Sequence, residues 1–170
     1  GSRRPLVIRS RDVRLEGILV ELADGGEHCY APLMRPEGVM LNMSVRLPLH
    51  HGEVAIPGLV LSGDRQMVMF RAVGPALGAY GVENAMSDPR IELYKDGKMI
   101  AQSCDWCVCP DGGAAARMAC GRVGAFPLPE DSLDAVIVKT LDPGAYTVMI
   151  KDEDGFSGAI LFEMYTVPPY

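Results

Sequence analysis

The sequence predicts an all-β fold, an antiparallel β-sandwich of jelly-roll type with one short helix. Three observations predict it. Short runs rich in β-branched and large apolar residues recur along the chain, each bounded by Gly, Pro, Asp or Asn. The 19 glycines and 13 prolines are scattered as punctuation and nowhere gather into a linker. At 170 residues, a single domain buries roughly 70% of the surface its unfolded chain exposes, enough for a core without covalent help.

The predicted strands are Gly17–Leu22, Val39–Leu47, Ile56–Leu61, Met67–Ala72, Arg90–Tyr94, Ala135–Thr140, Tyr146–Ile150 and Ala159–Tyr165. Ahead of them, Arg3, Arg4, Arg9, Arg11 and Arg14 alternate loosely with Leu6, Val7, Ile8, Val13 and Leu15, which reads as the polar face of an N-terminal strand. "KDGK", Lys95–Lys98, sets an Asp-Gly turn between Ile91–Tyr94 and Met99–Ala101, a strong hairpin signal. "LDPGAY", Leu141–Tyr146, is a second tight turn, with Pro143 fixing one backbone angle and Gly144 accepting a positive φ. In "RAVGPALGAYG", Gly74-Pro75 ends a strand because proline has no ladder donor. Only "GGAAARMACGRVG", Gly112–Gly124, has helical composition. The chain is expected to form one domain over residues 1–170. A softer shift in composition falls at Ser62–Arg65, whose two sides would be the two sheets of one core.

Composition narrows the function. Hydrophobic residues make up 48% and charged residues 22%, a globular balance, and no apolar run approaches the ~20 residues of a membrane helix. The formal charge of −6 argues against a nucleic-acid surface, which needs clustered Lys and Arg. Gly1-Ser2 reads as an expression remnant, which leaves a removed signal peptide open.

A resemblance follows from motif order. "MLNMSVR" (Met40–Arg46), "IPGLVLSG" (Ile56–Gly63), "FRAVGPALGAYGV" (Phe70–Val82), "SDPRIELY" (Ser87–Tyr94), "VGAFPLP" (Val123–Pro129), "LDPGAYTVMI" (Leu141–Ile150) and "GAILFEMY" (Gly158–Tyr165) stand in the order of a known module. Together they resemble a β-rich module of large secreted and cell-surface proteins of environmental bacteria, over about residues 40–168, leaving 1–39 outside it. The second half is also similar to the jelly-roll pre-peptidase C-terminal domains of secreted bacterial enzymes. The surface module has no catalytic residues to carry over, and both resemblances imply an extracellular β-sandwich. The chain departs from the module at "SCDWCVCPDGG", Ser103–Gly113, where a polar Trp-containing turn has acquired cysteines.

Those cysteines admit three chemistries. Cys104, Cys107, Cys109 and Cys120 supply four thiolates, the number a zinc ion or an iron–sulfur cluster takes, although only Cys104-x2-Cys107 has the usual paired spacing. Cys104-Asp-Trp-Cys107 also has CxxC spacing, but the βαβ context of a redox motif is missing. A disulfide staple fits the fold class better: Cys107 or Cys109 bridged to Cys120 closes a loop of about a dozen residues and adds ~3 kcal/mol in the chain-entropy model. With Cys29 the cysteines number five, so one is left over, either buried or joining neighbouring subunits.

Remaining candidates are weaker. His28, beside Cys29, and His50-His51 are imidazoles of metal-binding type, but adjacent residues of a strand face opposite ways. "KDEDGFSG", Lys151–Gly158, offers Asp152 and Asp154 to calcium, with Asp88 or Asp105 as helpers, yet it lacks the later glutamate of an EF-hand loop. Trp106, Tyr30 and Tyr80 are the aromatics a sugar platform would use, in a chain only 6% aromatic. No nucleophile–base set emerges, so the expectation is not an enzyme. It is an extracellular or surface-bound structural module that self-associates or binds protein partners, in one form a fibre subunit joined by strand addition. A metal-binding protein and a carbohydrate-binding module are the alternatives, and neither a required cofactor, nor nucleic acid, nor membrane insertion is expected.

Overall fold

The computed structural model describes residues 6–10, 18–21, 27–30, 33–34, 40–108 and 113–169, with side chains from residue 42 onward. The strands follow as β1 Leu6–Ser10, β2 Ile18–Glu21, β3 Glu27–Tyr30, β4 Leu33–Met34, β5 Met40–Leu49, β6 Pro57–Leu61, β7 Gln66–Val73, β8 Pro89–Lys95, β9 Lys98–Ser103, β10 Ala135–Leu141, β11 Gly144–Asp152 and β12 Gly158–Val167. Helix α1 spans Ala114–Val123, and a 3-10 turn spans Pro75–Tyr80. The predicted β-sandwich is therefore present, with its short helix where the alanines placed it.

One sheet runs β1-β6-β11-β8-β9 and the other β10-β7-β12-β5-β4, while β2 and β3 form a two-stranded sheet. All described strand-to-strand ladders are antiparallel except β1 with β6, a parallel ladder from Leu6↔Pro57 to Ser10↔Leu61; an isolated bridge, Ala85↔Ala159, is also parallel. The shift at Ser62–Arg65 does not divide the sheets. It is the crossing from β6 in one sheet to β7 in the other, and strands on both sides of it enter both sheets.

Alternation explains the layering. Val68, Phe70 and Ala72 of β7 and Ile160, Phe162 and Met164 of β12 face Ile91, Leu93, Val148 and Ile150 across the sandwich, forming the main core. Each of these side chains larger than alanine contributes roughly 1.5–3 kcal/mol on burial. The opposite face of β7 and β12 is covered too. Met69, Val136, Tyr165 and Val167 pack under Trp106 and α1, and Val73 and Ala159 pack under Ala76 and Leu77 of the 3-10 turn and Val82 just after it. The open face of the first sheet is polar instead: Glu92 accepts from Tyr94 Oη at 2.7 Å and pairs with Arg90 Nε at 2.9 Å and Lys151 Nζ at 3.3 Å. These donors hold the Glu92 carboxyl below its usual range, Tyr94 first among them.

Turns behave as their residues require. Asp96 (φ 50°) and Gly97 (φ 75°) form the left-handed pair that joins β8 to β9. At the other end of the sandwich the chain around Met86 lies against two glycines. Its N–H donates to Ala159 O at 2.8 Å, and Ala159 N–H donates to Asn84 O at 2.7 Å. A Cβ on Gly158 would stand 2.5 Å from Met86 Cα, and one on Gly74 2.3 Å from Met86 O. Gly158→Val is therefore expected to lower stability by about 3 kcal/mol through backbone displacement. Gly121→Ala in α1, where an added Cβ meets nothing within 4 Å, is expected to raise it by up to about 1 kcal/mol. Urea midpoints of the two variants check both signs.

Candidate functional site: the capped face of the second sheet

The segment between β9 and β10 forms a cap over the outer face of β7, β10 and β12. Its entry is fixed where Ser103 Oγ accepts the Val136 N–H at 3.2 Å, tying the end of one sheet to the edge strand of the other. Trp106 anchors the middle. Its N–H donates to Asp134 O at 2.9 Å, its indole Nε1 donates to Pro129 O at 3.1 Å, and the Arg117 guanidinium stacks on its ring at 4.7 Å. Arg117 also pairs with Glu130 across the cap, which holds the Glu130 carboxyl below its usual range. Gly113, at φ 77°, enters α1 where a Cβ would stand 2.9 Å from the indole, so only glycine fits there.

Asp134 joins the cap to the sandwich. It is fully buried, and its carboxylate accepts from Gly74 N–H at 2.7 Å, from Ala76 N–H at 3.3 Å and from Ser132 Oγ at 2.7 Å. Burial pushes the Asp134 carboxyl up, against the opposing pull of those donors and of Arg71.

Beneath the cap lies a buried ion pair. Arg71 of β7 and Glu163 of β12 are direct cross-strand partners, with 0% and 5% of their surface exposed. Arg71 Nε stands 3.4 Å from Glu163 Oε2, and the guanidinium lies 4.3 Å over the Phe126 ring. Glu163 Oε1 accepts from Tyr165 Oη at 2.7 Å, and burial together with this carboxylate raises the Tyr165 phenol. Arg71 Nε, Nη1 and Nη2 and Glu163 Oε2 have no hydrogen-bond partner in the protein. The sequence does carry a signal for this pair. Arg71 and Glu163 are lone charges in otherwise apolar strands, at positions out of phase with the core.

Between α1 and residues 125–130 the cap leaves a cleft of about 380 Å³, bordered by Trp106, Arg117, Cys120, Gly121, Leu128 and Glu130. Cys120 Sγ donates to Met69 Sδ at 3.7 Å, and burial pushes its thiol up, so it is a poor source of thiolate. Cys104, Cys107 and Cys120 are free thiols. The expected bridge from Cys107 to Cys120 is not formed, because the Cys120 thiol is turned onto Met69 and the indole of Trp106 does the fastening. Cys109 lies outside the described residues, and so do the side chains of Cys29, His28 and Tyr30.

The other predicted site residues are placed as follows. Trp106 is 4% exposed and stacked under Arg117, so it is not a platform open to a sugar ring. Tyr80 is 64% exposed and packs edge-on against Phe126. Asp152 is buried, and its oxygens accept from Ser87 Oγ, Asp88 N–H, Asp154 N–H and Phe156 N–H at 3.0–3.3 Å. It fastens two loops together, as a structural carboxylate does. Asp88 and Asp105 do gather near Asp152, Glu153 and Asp154. Burial first, and then their charges, push the Asp88 carboxyl up. Among the described residues no group of three or more His, Cys, Asp or Glu side chains has the arrangement to hold a metal ion. None of these helices is long and apolar enough to cross a membrane.

No family model matches the chain, and no curated protein matches it. Among solved structures, the chain is similar to the pre-peptidase C-terminal domain of a collagenase from Bacillus anthracis. The identity is 9% and the TM-score 0.46, over 96% of this chain and 99% of that one. A likeness of that strength decides nothing about function, and the sandwich rests on the strand pairing described above.

Proposed function

We propose that the chain is a non-catalytic extracellular module that builds a surface assembly by strand addition between copies. One observation carries this reading: β1, coming from beyond residues 11–56, lies parallel on the outer edge of β6. A strand added at an edge is held chiefly by backbone hydrogen bonds, so the same edge accepts the same strand from a neighbouring copy. The main core closes through β5 to β12 and includes Leu59 and Leu61 of β6, so the acceptor edge is built by the rest of the sandwich. The buried carboxylates support a structural role as well. Asp134 and Asp152 are bound to backbone donors, and Glu92 and Glu163 face basic partners. The extracellular placement is supported by the resemblance of residues 40–168 to a bacterial surface module.

The test is electron microscopy of the full chain over a concentration series, with reducing and non-reducing gels alongside. Oligomers or filaments are expected. Ile8→Pro, which denies β1 a backbone donor, is expected to reduce them to monomers while the circular dichroism of the sandwich is kept. Monomers at every concentration under both redox conditions overturn the reading.

A further inference from the structure

The buried pair under the cap is complete in charge and incomplete in hydrogen bonding. Arg71 offers three nitrogens without an acceptor, and Glu163 Oε2 lacks a donor. A further ion would unbalance the pair in a low-dielectric site, whereas a neutral group that both donates and accepts satisfies both partners at once. The cleft of about 380 Å³ is lined by neither member of this pair, but it is of the size and mixed lining that small-molecule sites have. Three connections join them. Cys120 borders the cleft, and its thiol donates to Met69, which shares the outer face of β7 with Arg71. Leu128 borders the cleft and packs on both outer clusters of the sheet. Phe126, whose ring covers the guanidinium, stands between Ala125 and Pro127, both on the cleft wall. Phe126 is only half-buried, and its other aromatic neighbour is the exposed Tyr80.

We propose that the cleft and the Arg71–Glu163 pair form one binding site for a small neutral ligand with a carboxamide-type head on an apolar ring. The ring lies against Leu128 and Gly121 in the cleft that Trp106 borders. The head passes the displaced Phe126 ring, accepts from Arg71 and donates to Glu163 Oε2.

Trp106 is the one tryptophan of the chain, so its fluorescence reports the cleft directly. Benzamide, benzoate and benzylamine are titrated into the full chain, with two-dimensional NMR locating the contact. Benzamide is expected to shift the Arg71 Nε–H, Phe126 and Cys120 resonances and to quench Trp106. Both charged analogues are expected to bind at least tenfold more weakly. Gly121→Leu fills the cleft from a position where an added Cβ meets no atom, and it is expected to abolish binding. Arg71→Lys is expected to weaken binding tenfold, and if it does not fold, Gly121→Leu still decides. The proposal is overturned by benzamide shifts that are absent or lie elsewhere, by equal binding of a charged analogue, or by Gly121→Leu that binds as the parent does. The titration is run on monomer, so its outcome is separate from that of the assembly test.

Discussion

Arg71→Met is expected to destabilise the protein by about 3–5 kcal/mol, the cost of leaving one buried charge without its partner. The carboxylate left behind, Glu163, is 5% exposed and keeps only the Tyr165 hydroxyl. The stacking of the guanidinium on Phe126 is lost as well, worth up to about 2 kcal/mol in a desolvated setting. Removing both charges tells a different story. Arg71→Met with Glu163→Leu puts apolar side chains under Phe126, and it is expected to return to within about 1 kcal/mol of the parent. Urea unfolding of the parent, both single variants and the double variant closes the cycle. A double variant as unstable as the sum of the singles would show that the pair is not an isolated buried charge couple.

Asp134→Ala is expected to cost about 3–5 kcal/mol, since it leaves the Gly74 and Ala76 N–H groups and the Ser132 hydroxyl buried without an acceptor. Asp134→Asn keeps one oxygen and is expected to cost about half as much. The pH dependence has a definite sign. Burial raises the folded carboxyl above the ordinary value of about 3.9, so the native state holds this proton where the unfolded chain has released it. The stability linked to Asp134 is therefore fully present below about pH 4 and is lost as the pH rises through the folded titration. The penalty of Asp134→Asn should accordingly be largest in acid and shrink toward neutrality, which thermal melts across that range read directly. A penalty that grows with pH would mean that the donors around Asp134 outweigh its desolvation.

Much of the fold is legible in the residues, because local chemistry and tertiary packing agree there. "KDGK" folds as the hairpin its Asp-Gly pair requires, and the alanine-rich stretch after Gly113 is α1. β5, β7, β8, β10, β11 and β12 fall on the predicted apolar runs to within a few residues. The edge partner of β6 is a different matter, since β1 and β6 are far apart in the chain and no local pattern specifies parallel pairing. The candidate site was less legible. Trp106 sits in the cysteine stretch and draws attention as an exposed aromatic, but its burial depends on Arg117, Pro129 and Asp134, contributed by the far side of the cap. Asp152 reads as a calcium ligand from its acidic neighbours, while its actual partners include Ser87 and Asp88 from another loop. Arg71 and Glu163 carried a readable anomaly of phase, yet only the register of β7 against β12 shows that they meet.

The covering of the second sheet on both sides has a consequence for how freely the sequence can vary. In β7 the residues that point away from the main core, Met69, Arg71 and Val73, are as buried as those that point into it. Such a strand has no neutral side, so volume or charge changes along nearly its whole length are penalised. Latitude for substitution, and room to graft a new surface, therefore belongs to the opposite sheet, around Met99, Ala145 and Thr147, where side chains end in solvent or only partial cover.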